Sequence, residues 1–162
     1  MEHVISGLAE KPADAQRIID ELTTTCMCDR GDISLLGGDS ASPAASAAGA
    51  VAGAAGATLH SVSRLLGDTT AFFTHQLSGF GPLHGVGRAG ALLAKIALTS
   101  ADDLAKGLSG IGIRQELARD YADALKRGSI VILVHARTER IAQCARQVMA
   151  AHGAAAAVHA AH

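Results

Sequence analysis

Apolar residues follow clear rhythms at the two ends of the chain and lose them in the middle. Near the N-terminus, His3 to Leu8 reads as a short strand, and Lys11-Pro12 breaks the extended run. From Ala13 to Thr24 the period changes: Ala15, Ile18, Ile19 and Leu22 recur at helical spacing, while Asp14, Arg17, Asp20 and Glu21 fall on the opposite face. Asp29-Arg30-Gly31-Asp32 is a turn signal, and Ile33 to Leu36 supplies a second strand closed by Gly37-Gly38-Asp39.

The C-terminal part repeats this order. Arg114 to Arg127 predicts an amphipathic helix with Leu117, Tyr121, Ala124 and Leu125 inward, stopped by Gly128. Ser129 to His135 is a nearly continuous aliphatic run, the pattern of a central strand buried on both faces. Thr138 to His152 carries Ile141, Cys144, Ala145, Val148 and Met149 at helical spacing and ends near Gly153, leaving Ala154 to His159 for a last strand.

Two βαβ units with right-handed crossovers build a four-stranded sheet with helices on one face. The expected class is therefore α+β, a ferredoxin-like split βαβ sandwich interrupted by an Ala/Gly-rich helical hairpin. Residues 1–39 form the first half and 112–162 the second, together one domain, with 40–111 as the helical insertion.

Within that insertion, Ser40 to Ser63 has no formally charged side chain and is long enough, at about 1.5 Å per helical residue, to cross a bilayer. Its large apolar residues are only Val51, Leu59 and Val62, and Ala, Ser and Gly gain little from lipid. Gly49, Gly53 and Gly56 have the spacing that lets helix backbones approach closely, so packing is the preferred reading. Leu65, Leu66, Phe72, Phe73 and Leu77 then lead to a break at Gly79 to Pro82, and Gly85 to Leu98 forms the expected return helix. Ser100 and Asp103 make an S-x-x-D cap for a short helix through Leu108. A helical hairpin of this kind exposes more apolar surface than one small sheet covers. Homo-oligomerisation through Gly49, Gly53, Gly56, Phe72 and Phe73 is expected, against an intramolecular helical subdomain as the alternative.

Composition narrows the chemistry. The 162 residues suit one domain, and the net charge of -1 comes with basic residues scattered among acids. With three Phe, one Tyr and no Trp, stacking platforms are scarce, so nucleic acid is not an expected partner. Three cysteines, two of them spaced C-x-C, make a poor start for a disulfide framework and point to a reducing compartment; the N-terminus shows no secretory pattern. A cytoplasmic location follows as the expectation, with membrane association as the alternative.

Cys26-Met27-Cys28 offers two thiolates and a thioether within three residues, which could hold Cu(I) or contribute to a zinc site. Cys144, on the apolar stripe, reads as a small core hydrophobe. The eight histidines are irregularly spaced without any H-x-x-x-H pair, and His135 reads as a hydrogen-bonded residue at the end of its strand. There is no Gly-x-Ser-x-Gly elbow and no Walker loop, and Gly107-x-x-Gly110-x-Gly112 follows a helix where a dinucleotide site needs a strand. No enzyme activity and no cofactor are expected.

The run from Gly112 to Val134 resembles a segment of the bacterial general-stress and heat-induced stress protein family, as do Gly7-Leu8, Ala13 to Leu22, and Asp29 to Leu36. Gly79-Phe80-Gly81-Pro82-Leu83 is similar to the Gly-Pro turn in that family's Gly/Ala-rich middle. The family's middle is more continuously apolar, whereas this one carries Arg64, Asp68, His75, His84, Arg88 and Lys95. The resemblance implies a small α/β stress protein and transfers no catalytic residues. The expected function is a non-enzymatic, stress-associated structural or interaction protein that self-assembles through its insertion. The alternatives are a membrane-peripheral or membrane-inserted stress protein, in which the insertion docks onto lipid, and a ligand-binding regulatory module.

Overall fold

The computed structural model describes residues 3–10, 12–38, 72–77, 81–95, 100–127, 129–152 and 157–160. The chain is α+β. In order it forms β1 (His3–Ala9), α1 (Pro12–Thr24), a short 3-10 turn (Arg30–Asp32) and β2 (Ile33–Gly38). There follow β3 (Phe72–Leu77), β4 (Gly81–Val86), α2 (Gly87–Ala94), α3 (Ala101–Gly110) and α4 (Gln115–Lys126). Last come β5 (Ile130–Ala136), α5 (Glu139–Ala151) and β6 (Ala157–Ala160).

Among the described residues the strands make one six-stranded sheet in the order β3-β4-β2-β5-β1-β6, and every neighbouring pair is antiparallel. In the middle, Leu133 of β5 lies opposite Ser6 of β1 on one side and Ser34 of β2 on the other. β1-α1-β2 and β5-α5-β6 are the two units anticipated from the apolar rhythm.

Both sheet faces are covered, which differs from the one-sided layer expected. Alternation along β5 explains it: Ile130, Ile132, Val134 and Ala136 join Ile5, Ile33 and Leu35 beneath α1 and α5. Val131 and Leu133 instead join Val4, Leu36 and Leu83 against residues of α2, α3 and α4 such as Leu93, Leu104, Leu108 and Leu125. Each large aliphatic side chain so buried contributes about 1.5–3 kcal/mol, so neither face of β5 tolerates exposure to water. Its two-sided apolar pattern demands a second helical layer, which α2 and α3 of the middle and α4 of the C-terminal half supply.

Of the helical hairpin expected across 40–111, the part at 72–77 and 81–86 is corrected, while 40–71 lies outside the described residues. Phe72–Leu77 and Gly81–Val86 pair as a β-hairpin over a three-residue connection, with Phe72 opposite Val86 and Leu77 opposite Gly81. Aromatic and β-branched residues (Phe72, Phe73, Thr74, Val86) favour a pleated strand, and a short Gly-containing connection suits a hairpin. β4 then pairs with β2, extending the sheet. Helix begins at Gly87, and the Ser100 hydroxyl caps α3 by accepting from the Asp103 N–H at 3.3 Å. Thr138 caps α5 likewise, accepting from the Ile141 N–H at 3.3 Å. The contact expected at Gly49, Gly53 and Gly56 lies outside the described residues; Phe72 and Phe73 are in β3, not in a helix.

Two glycines mark where α2 and α4 meet the sheet. Gly87 has φ +88°, and a Cβ there would stand 2.6 Å from the Ile33 carbonyl oxygen and 2.9 Å from the Ser34 hydroxyl. Gly112, at φ +108°, turns the chain between α3 and α4 with only Val4 Cγ2 nearby, 3.7 Å from the same hypothetical atom.

Candidate functional site

Chemically distinctive side chains gather at the end of α1. Met27, with φ +58°, takes the left-handed conformation that ends the helix, and the Cys28 N–H closes the turn on the Leu22 carbonyl at 3.0 Å. This turn sends Met27 outward, 76% exposed, and its two neighbours inward, Cys26 at 6% and Cys28 at 7%. Both cysteines belong to the core layer under α1 and α5, with Cys144 of α5 packed against its margin.

Cys26 and Cys144 form a disulfide with Cα atoms 5.5 Å apart. It joins the C-terminal end of α1 to α5, and a His152–Glu21 contact of 2.9 Å ties the same two helices elsewhere. Beyond Cys28, Arg137 meets Asp32 at 2.9 Å and Asp29 at 3.6 Å, so the 26–32 segment is fastened at both ends.

Cys28 is the free cysteine among the described residues. Burial, with Asp32 and then Asp29 adding like-charge repulsion, pushes its thiol from 9.0 to about 11. At neutral pH only about one molecule in ten thousand then carries the thiolate, the form that binds metals and attacks disulfides.

The candidate metal pair Cys26 and Cys28 is corrected by the disulfide: Cys26 is bonded to Cys144, so the two thiolates are not available together, and the described residues contain no cluster of metal-ligating side chains. Cys144, read as an inert core hydrophobe, is a disulfide partner instead. The relevant signal was present: Cys144 lies on the apolar stripe of one crossover helix and Cys26 at the inward end of the other, and both helices pack on the same sheet face.

On the opposite face lies a buried polar row. The Ser6 and Tyr121 hydroxyls hydrogen-bond at 2.7 Å, and Ser34 is fully buried two strands away. Burial pushes the Tyr121 hydroxyl above its ordinary value, Asp120 adds to this, and the Ser6 hydrogen bond works against it. His135 is 6% exposed on β5, opposite Val4. Sequence reasoning placed it at a strand end; the second helical layer makes it a core residue. A cleft of about 570 Å³ opens between α3 and α4, lined by Asp102, Lys106, Ser109, Gln115 and Arg119 among others. Its charges are of both signs, which gives no selection for a cationic or an anionic ligand.

Among the described residues, no helix is long and apolar enough to cross a membrane. Comparisons of the chain with protein-family models, with curated proteins and with solved structures find no match.

Proposed function

We propose that this chain is a non-enzymatic, stress-associated structural or interaction protein that assembles with copies of itself, using β3 and the Ala/Gly-rich segment that leads into it. The observation that carries the reading is the position of β3 at the end of the sheet order among the described residues. Its sequence, Phe72-Phe73-Thr74-His75-Gln76-Leu77, contains no Asp, Glu, Lys, Arg or Pro. Such a strand lacks the lysines and prolines that usually discourage edge pairing, so it favours addition of another strand. A second copy offers the same sequence and satisfies the two-fold pairing that antiparallel edges permit. The stress-associated part of the proposal comes from the sequence resemblance. The order β2-β5-β1-β6, with α1 and α5 as crossovers, supports reading the core as ferredoxin-like, with β3 and β4 added beside β2.

Light scattering coupled to size-exclusion chromatography tests the proposal. A dimer or larger species at micromolar concentration is expected, and a strictly monomeric protein overturns it. Gln76→Lys, which places a charge on the edge, shifts the population toward monomer if β3 is the contact. Gly53→Leu does so if close approach within the insertion is required as well.

A further inference from the structure

The three cysteines of the α1 corner are packed into one layer, yet they differ in chemistry and access. Cys26 is bonded and buried, Cys144 is bonded but only partly buried, and Cys28 is unbonded and buried two residues from the bond. The segment that carries Cys28 into the core is held on one side by the disulfide and on the other by Arg137 with Asp29 and Asp32. Breaking the disulfide removes one fastening and leaves the other, so the segment has a way to open locally. Met27, between Cys26 and Cys28, already projects into solvent.

We propose that the Cys26–Cys144 disulfide is a reversible latch, opened by a small dithiol, that controls access to the third thiol, Cys28. The attacking thiolate approaches Cys144, the sulfur at the margin of the core, and forms a mixed disulfide with it. The Cys26–Cys144 bond breaks, and its electron pair leaves on Cys26 Sγ, which takes a proton from water. The second thiol of the reductant, as thiolate, then attacks the sulfur bound to Cys144. It releases Cys144 as a thiolate that is protonated in turn, and it closes the reductant into a cyclic disulfide. The protein gains two electrons and two protons, and the dithiol loses the same. Oxidised glutathione runs the balance in reverse, forming two reduced glutathiones and restoring the bond.

Cys28 takes no part in the closed state. Its suppressed ionisation keeps it from attacking the neighbouring disulfide, which accounts for a stable bond beside a free thiol. Once the latch opens, loss of cover lowers the cost of ionising Cys28, and the thiol becomes a target for alkylation or mixed-disulfide formation. The same physical change exposes the group and activates it.

Thiol trapping with N-ethylmaleimide, read by peptide mass spectrometry at each cysteine, tests this with the full-length protein. Without reductant, Cys28 should be modified slowly and the other two not at all. With dithiothreitol, all three should react, and the rate at Cys28 should rise at least tenfold while the far-ultraviolet circular dichroism is unchanged. Oxidised glutathione should restore protection. Cys144→Ser provides the latch-open state without reductant and should give the same fast labelling of Cys28. The proposal is overturned if dithiothreitol fails to open the bond in folded protein, or if Cys28 stays protected when the bond is open. It is also overturned if Cys28 reacts only as the circular dichroism signal collapses.

Discussion

Replacing single glycines by alanine separates conformational strain from steric overlap, and the structure supplies a graded series. At Gly110, the last residue of α3, φ is not positive and nothing stands within 4 Å of the hypothetical Cβ. Gly110→Ala should therefore stabilise the protein by about 0.5 kcal/mol through reduced freedom of the unfolded chain. Gly112, with φ +108° and only an ordinary contact to Val4, isolates the strain: Gly112→Ala should cost about 1–2 kcal/mol. Gly87 adds overlap to strain, since the new atom meets the Ile33 carbonyl oxygen at 2.6 Å and the Ser34 hydroxyl at 2.9 Å. Ile33 and Ser34 begin β2, whose other side is paired to β5, so the backbone cannot retreat freely. A further cost of about 1–3 kcal/mol for forced displacement brings Gly87→Ala to about 2–5 kcal/mol. Urea unfolding at one temperature measures all three. Equal costs at Gly87 and Gly112 would refute the close approach of α2 to β2, and with it the way the second helical layer is seated.

Tyr121→Phe removes the 2.7 Å hydrogen bond to Ser6 and should cost about 1 kcal/mol, measured as a lower urea midpoint with an unchanged slope. Ser100→Ala and Thr138→Ala each delete an N-cap hydroxyl and should cost about 1 kcal/mol apiece, adding independently in the double variant. Alkaline pH supplies a further test. Cys28 binds its proton more tightly in the native chain, at about 11 against 9.0, so its contribution is intact below pH 9 and is lost as pH rises toward 11. The loss amounts to about 2–3 kcal/mol at most. Thermal melting across that range should show a shallower decline in Cys28→Ala than in the parent, and parallel declines would contradict the assignment.

Much of the fold was legible because its two outer units carry strong, unmixed periods. Ile18, Ile19 and Leu22 announced α1, and the run from Ile130 to Val134 announced a strand with two buried faces. The consequence of that run was missed, since a sheet covered on one side leaves Val131 and Leu133 in water. Residues 72–77 and 81–86 of the middle form strands where helix is expected, for a physical reason. Ala and Gly dominate its composition and suggest packed helices, but Phe72, Phe73, Thr74 and Val86 are local strand formers, and pairing with the open edge of β2 decides between the two. The disulfide escaped because partners 118 residues apart meet only once both crossover helices lie on the same sheet face. Spacing along the chain groups Cys26 with Cys28 as a metal candidate, whereas the turn at Met27 sends both inward and Cys144 is the disulfide partner of Cys26.

Self-association through the terminal strand is tested most directly by hydrogen exchange, read by mass spectrometry over a dilution series. Amides of Phe72–Leu77 should exchange slowly at high protein concentration and faster on dilution, while those of β6 at the opposite end of the sheet keep one rate throughout. Exchange in Phe72–Leu77 that is independent of concentration, over a range where light scattering shows oligomers, would contradict the role given to β3.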